Sequence, residues 1–246
     1  MSPGVTPGGT AGAASPAGTA GAAGPAGPPL RRVQWARASR IVPTRHPSVF
    51  LFDRVADAAD FDLLYALEAL TNPRAREEAG QIQRVPPEER IYGPGSGPIM
   101  AAFTHVNPLG SRFSDGAYGV FYAAHDRATA IAETRYHHAR FLAATAEPAM
   151  HLPMRLYEVA IDGRLHDLRR GFAAEHAPGD YVAARALGAR LRDAGSAGVA
   201  YRSVRHPGGE CVGLFRPRAA SGCRHAAILL YAWDGAGFSD VYEKLA

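Results

Sequence analysis

Lysine is almost missing from this 246-residue chain: Lys244 is the only one, and arginine supplies the rest of the 27 basic side chains, set against 23 acidic ones. The formal charge is +4, too small an excess to point to nucleic acid by itself. Guanidinium groups do, however, grip phosphate and carboxylate two-pronged, which ammonium groups do not. Cysteine is scarce as well. Cys211 and Cys223 stand alone, neither in a CxxC pair, which provides no disulfide framework and fits two small core residues in a reducing cytoplasm. Long apolar runs are absent too. Residues 226–233 fall far short of the roughly 20 residues a membrane span needs. The first 29 residues hold no charged and no aromatic side chain, only Gly, Ala, Pro, Ser and Thr with a stray Met and Val. Such a segment buries too little apolar surface to offset chain entropy, so residues 1–30 read as a disordered tail. With neither a basic start nor a leucine- or valine-rich stretch, the tail does not read as a secretion signal, and the expected location is cytoplasmic. No internal repeat and no helix-turn-helix pattern stands out, so no direct contact with nucleic acid and none with a membrane is expected.

The remaining 215 or so residues suffice for one domain with a sizeable core. Residues 31–85 read as an N-terminal extension packed on a main domain at 86–246. Within the extension, Arg31, Arg32, Arg37, Arg40 and Arg45 suggest a solvated, partly ordered arm. Pro43 and Pro47 frame an extended piece, and residues 49–52 suit an edge strand. A helix follows Asp60, with Leu63, Leu67 and Leu70 as its inner stripe and Asn72-Pro73 as its end. Gly93, Gly95 and Gly97 alternate with Pro94, Ser96 and Pro98. The prolines remove backbone donors that a phosphate cradle would use, so an autonomous nucleotide loop is not expected there. Further on, residues 154–161 and 165–168 read as two extended pieces. Residues 181–194 form an amphipathic helix with Val182, Ala186 and Leu187 inward. Residues 199–204 and 210–215 make a hairpin about Pro207-Gly208-Gly209, and residues 225–233 an apolar strand. Strands and helices mix without regular alternation. The expected class is therefore α+β, a mixed sheet core with flanking helices.

The densest stretch is 111–141. Gly110 and Gly116 permit sharp reversals on either side of Arg112; residues 119–124 form a short buried strand carrying Tyr122. Asp126 then caps an alanine-rich helix over 128–143, on which Glu133 lies beside a face of Ala130, Thr134, His137 and Phe141. An arginine, a tyrosine and a carboxylate thus converge where loop, strand and helix meet. Each residue also has an ordinary reading. Glu133 suits a surface carboxylate, Arg112 a partner of Asp115, Tyr122 a core residue, and Ser203 a hydrogen bond at a strand end. His125, His137 and His138 show no metal-ligand spacing, and Cys211 has no paired base.

Taken in order, these residues resemble the RES-domain family, named for an arginine, a glutamate and a serine. Arg112 in G-S-R-F, Tyr122 in V-F-Y-A-A, Glu133 in A-I-A-E and Ser203 in Y-R-S-V-R-H-P-G-G match the family pattern in order and separation. Arg90 and Tyr92 match an upstream arginine–aromatic pair with a small difference in spacing. The resemblance covers residues 90–217. It implies a fold like that of the ADP-ribosyltransferase toxins and a toxin that depletes NAD by hydrolysis or phosphorolysis of the nicotinamide–ribose bond. It also implies a cognate antitoxin with a helix-turn-helix segment, and it allows a homodimer within such a complex. On that resemblance Glu133 stabilises charge at the ribose, Arg112 and Arg90 bind pyrophosphate or incoming phosphate, and Tyr92 and Tyr122 contact NAD. Ser203 then fixes the nicotinamide amide or the ribose. NAD is the substrate, inorganic phosphate a co-substrate in the phosphorylase case, and no metal or further cofactor is required. An ADP-ribosyltransferase acting on a protein is the second reading, and a binding module without activity the third.

Overall fold

The computed structural model describes residues 27–46, 48–71 and 73–244. Most of the expected tail, together with Pro47 and Asn72, lies outside the described residues. The strands are β1 (Leu30–Pro43), β2 (Phe121–Ala124), β3 (Met150–Asp167), β4 (Gly198–Arg202), β5 (Glu210–Leu214), β6 (Ala220–Trp233) and β7 (Phe238–Glu243). The helices are α1 (Ala58–Thr71), α2 (Pro73–Ala79), α3 (Gly97–Thr104), α4 (Arg127–Ala144) and α5 (Val182–Asp193). The strands form one mixed sheet in the order β1-β2-β5-β4-β3-β6-β7, and β1 pairs with β3 as well. Five strands therefore close on themselves, and among the described residues only the β3–β4 pairing is parallel. The class is α+β, as the unpatterned mix of elements implies.

The arginine-rich lead-in is not a solvated arm. It is β1, paired with β3 from Leu30↔His166 to Pro43↔Met154. Alternation explains the difference: Val33 and Trp35 point inward while most of the arginines point out. A bulge between Trp35 and Ala38 then moves the inward parity from odd to even residues, so Ala38, Arg40 and Val42 continue the inner face. The two extended pieces at 154–161 and 165–168 are one strand, β3. Its faces are covered separately, Met154 and Leu156 in one core and Tyr157, Val159, Ile161 and Leu165 in the other. Residues 49–51 form no strand and lead into a 3-10 turn at Phe52–Arg54.

Two cores result. The first lies under α3 and the start of α1, around Phe52, Phe61, Met100 and Phe121. Phe61 carries the contact there, stacked 5.0 Å from Phe52. Leu63, expected inside, is 65% exposed, and the side chains of Leu67 and Leu70 lie outside the described residues. The glycine-rich loop before α3 binds an internal acid: Asp53 accepts from the Gly95 and Gly97 amides and the Ser96 hydroxyl. Those donors are therefore already engaged within the fold. The second core lies under α4 and α5, around Phe113, Leu156, Leu187 and Tyr231. On α5 the buried positions are Ala184, Leu187, Gly188 and Leu191, whereas Val182 is 74% exposed at the helix start.

Gly188 brings α5 onto the turn that holds Arg112, since a Cβ there would lie 2.2 Å from the Phe113 carbonyl oxygen. Replacing a helical glycine by alanine ordinarily gains about 1 kcal/mol. Here overpacking dominates. Gly188→Ala is expected to destabilise by about 1–3 kcal/mol, read as a thermal midpoint about 2–10 °C lower. A raised midpoint would show that the contact is not as close as described.

Candidate active site

Helix α4 starts where β2 ends. Asp126, in extended conformation, accepts from the Thr129 amide at 2.8 Å and from the Thr129 hydroxyl at 2.8 Å, a full N-cap. Burial pushes the Asp126 carboxyl up, but the Thr129 amide and hydroxyl, helped by His206 and His125, hold it below the ordinary aspartate value. The cap fixes the rotation of the helix, and with it the face on which Glu133 sits. Glu133 is half-buried, and its Oε1 accepts from the Ser203 hydroxyl at 2.6 Å. Ser203 is 8% exposed and begins the turn between β4 and β5. Its oxygen accepts from the Arg205 and His206 amides at 3.1 and 2.9 Å. The one proton of Ser203 is therefore committed to Glu133, and both lone pairs are occupied.

Arg112 lies in the turn closed by the Ser111 amide donating to the Ser114 carbonyl at 2.7 Å, with Gly110 at φ 75° and Gly116 at φ 105° on either side. It does not pair with Asp115. It is 6% exposed, and one terminal nitrogen donates to the Glu175 and Ala177 carbonyls, both at 3.0 Å. The Tyr181 ring stacks 4.5 Å from its guanidinium carbon. These three partners belong to the loop 168–181 between β3 and α5. The same loop is held from the helix side, where Arg205 donates to the Pro178 carbonyl and stacks 3.3 Å over the Tyr136 ring. Among the described residues, three polar atoms in this neighbourhood are buried without a hydrogen-bond partner: Arg112 Nη2, Arg205 Nε and the Tyr181 hydroxyl oxygen. All three carry a proton to donate. Burial pushes the Tyr201 hydroxyl and the Cys211 thiol upward; on both, Glu133 adds to the rise while Arg112 opposes it. Glu133 and Arg112 thus bear on the same small volume with opposite sign. Cys211 stays a thiol there, which suits a core residue.

Tyr122 reaches the other side of the Arg112 turn. Its hydroxyl oxygen lies 2.8 Å from Ser111 Oγ and accepts from the Phe113 amide at 3.0 Å. Burial drives its pKa up to about 12 against those bonds, so it remains protonated. Tyr122 and Ser111 line a cavity of about 390 Å³ together with Ser114, Tyr157, Arg155 and Arg40. Arg40 donates to the Tyr122 carbonyl at 2.9 Å and stacks 4.5 Å over Phe121. Burial lowers its pKa, with weak opposition from Cys223 and Tyr157.

The RES-domain family model matches residues 87–234. The chain belongs to the RES-domain family. An uncharacterised protein of Sinorhizobium fredii, y4oC, is 28% identical over 210 residues, covering 82% of this chain and 85% of that one. A solved structure of similar shape is that of the MbcT–MbcA toxin–antitoxin complex of M. tuberculosis. Its TM-score is 0.45 at 10% identity, with 84% of this chain and 88% of that chain covered, a likeness too distant to carry weight. Arg112, Tyr122, Glu133 and Ser203 all fall in the RES segment; Tyr122 bonds the turn that holds Arg112, and Ser203 bonds Glu133 on α4.

Arg90 and Tyr92 also fall in that segment, but their contacts lie elsewhere. Arg90 donates to the Val85 carbonyl at 3.0 Å and lies 3.9 Å from Asp62, and Tyr92 packs 5.5 Å from the Phe61 ring. They tie α1 to the first core. The arginine from outside the matched segment that does reach Tyr122 is Arg40. The Asp126 cap generates a pH-dependent expectation. Because the folded pKa is lowered, the stabilisation is complete above the unfolded value of about 3.9 and disappears as pH falls through the folded value. Asp126→Ala should cost about 1 kcal/mol in urea unfolding at pH 7, with the gap between wild type and variant closing as pH falls through the lowered folded value of Asp126. A gap persisting undiminished at pH 2 would rule out the carboxylate as its origin.

Proposed function

We propose that the chain is an NAD-consuming toxin that breaks the nicotinamide–ribose bond and passes ADP-ribose to water or phosphate. The observation that carries this reading is a carboxylate fixed by Ser203 in a fold that also buries unpartnered donors on Arg112, Arg205 and Tyr181, the first two held to the loop 168–181 that carries the third. Unpaired buried donors are costly, at about 1–3 kcal/mol each and more for a charged group. A ligand with several anionic oxygens next to a sugar relieves that cost, and a dinucleotide has both features. Membership of the RES-domain family supports the same substrate class.

In the proposed reaction the C1′–N bond breaks heterolytically. Its electron pair leaves with nicotinamide and neutralises the pyridinium, so the leaving group needs no proton. Positive charge develops at the ribose, as in glycoside cleavage. Glu133 stabilises that charge and holds the ribose hydroxyls. An oxygen of water or phosphate then bonds to C1′, water losing its proton to solvent. Arg112 binds the pyrophosphate, which takes the place of the Glu175 and Ala177 carbonyls, so the loop 168–181 withdraws as substrate enters. Arg40 and Tyr122, lining the adjoining cavity, hold the far part of the dinucleotide. Ser203 acts here on Glu133 rather than on nicotinamide, because it has no second proton to give. A toxin of this kind needs a protein that blocks the cleft, and an antitoxin with a helix-turn-helix segment is the partner proposed.

Purified protein incubated with NAD should release nicotinamide, with ADP-ribose as co-product in plain buffer or its 1″-phosphate when phosphate is supplied. Glu133→Gln and Arg112→Ala should each slow the loss about 100-fold or more; Glu133→Gln still accepts from Ser203 and should melt near wild type, whereas Arg112→Ala gives up two buried carbonyl bonds and should melt lower while remaining folded. NAD left intact by folded wild-type protein, with and without phosphate, would defeat the proposal.

A further inference from the structure

The turn that carries Ser203 meets α4 at a second place, one helical turn before Glu133. His206 Nδ1 lies 2.8 Å from the Thr129 hydroxyl oxygen, and Thr129 is completely buried. That hydroxyl has a single proton, directed to Asp126 Oδ2 at 2.8 Å. The contact with His206 therefore needs the hydrogen on Nδ1, which both the cation and one neutral tautomer provide. Gly209 permits the approach, since a Cβ there would lie 2.5 Å from Thr129 Oγ1. The turn is closed by the Ser203 amide donating to the Gly209 carbonyl at 2.8 Å and the Gly209 amide to the His206 carbonyl at 3.0 Å.

His206 thus holds both ends of the arrangement. Its side chain grips the capped first turn of α4, and its backbone amide is one of the two that cradle Ser203 Oγ. Thr129 and Glu133 are four residues apart and share a helix face. The long Arg205 side chain, stacked over Tyr136, leaves the backbone of the turn free to pivot about the Ser203–Glu133 bond; fixed at Thr129 as well, close to the start of α4, it cannot. We propose that His206 is a positioning residue. Through Thr129 it sets the turn so that the Ser203 hydroxyl holds the Glu133 carboxylate in its reactive orientation. This rests on the reading of Glu133 as the catalytic carboxylate, and His206 itself touches no substrate.

The test compares His206→Ala with His206→Asn, whose side-chain amide keeps a donor close to the place of Nδ1. Amide hydrogen exchange at positions 205 and 206 should quicken about tenfold in the alanine variant and largely recover in the asparagine variant. In NAD turnover the alanine variant should lose about 10- to 100-fold in kcat, with KM within about twofold of wild type, and asparagine should restore most of it. Unchanged exchange protection overturns the proposal whatever the enzyme does. Faster exchange with unaltered kcat also overturns it, as does a KM rise that accounts for the loss or a failure of asparagine to rescue. If wild type leaves NAD intact, the NAD reading fails by itself, and exchange still decides whether His206 pins the turn.

Discussion

A single proton shared between Ser203 and Glu133 joins the two halves of this site. Helix and hairpin are 70 residues apart in sequence, and the bond between them is 2.6 Å long. Charge-assisted bonds of this kind contribute about 1.5–3 kcal/mol. Their effect on order is larger than that figure suggests. A glutamate on a helix face otherwise samples several rotamers, whereas here one oxygen is fixed by a hydroxyl that is itself fixed by two amides. The carboxylate is thereby set before any ligand arrives, which is the condition under which a fixed charge stabilises a transient one.

The sheet makes that bond possible. β5 lies between β4 and β2, so the turn after β4 is delivered to the side of the sheet from which β2 launches α4. β2 is only four residues long, and the Asp126 cap follows it after one residue. There is little freedom for the helix to rotate between strand and cap. Closing the ring through β1 then seals the far side of β2, and the bulge after Trp35 turns Arg40 toward the Tyr122 carbonyl.

What the sequence discloses follows from how local each signal is. The Asp126 cap, the helix with Glu133 on it, the hairpin about Gly208-Gly209 and the glycines around Arg112 are all written within a few residues, and the fold has each of them where the pattern places it. The resemblance carried by Arg112, Tyr122, Glu133 and Ser203 linked distant segments that local patterns could not. The misplaced features depend on partners far along the chain. β1 reads as an arm because its four arginines hide a two-residue period, and its bulge has meaning only opposite β3. Leu63 and Val182 look like core residues by spacing, yet both stand exposed among the described residues. Arg205 lies inside the motif around Ser203, and its role appears only when the loop 168–181 folds back onto it.

That loop is fastened by the groups a ligand would need. Backbone carbonyls are neutral dipoles, and two of them satisfy one nitrogen of Arg112 while the other stays buried and unpaired. A phosphate offers full charge and more oxygens, so exchanging carbonyls for phosphate strengthens each bond and reaches the unpaired nitrogen as well. The gain must exceed the cost of releasing the loop, including its contacts to Arg205 and Tyr136. An isolated singly charged anion gains little from such an exchange. A pyrophosphate reaching Arg112 and Arg205 together gains at both ends. On the proposed reading, the closed loop therefore favours ligands with two linked anionic groups.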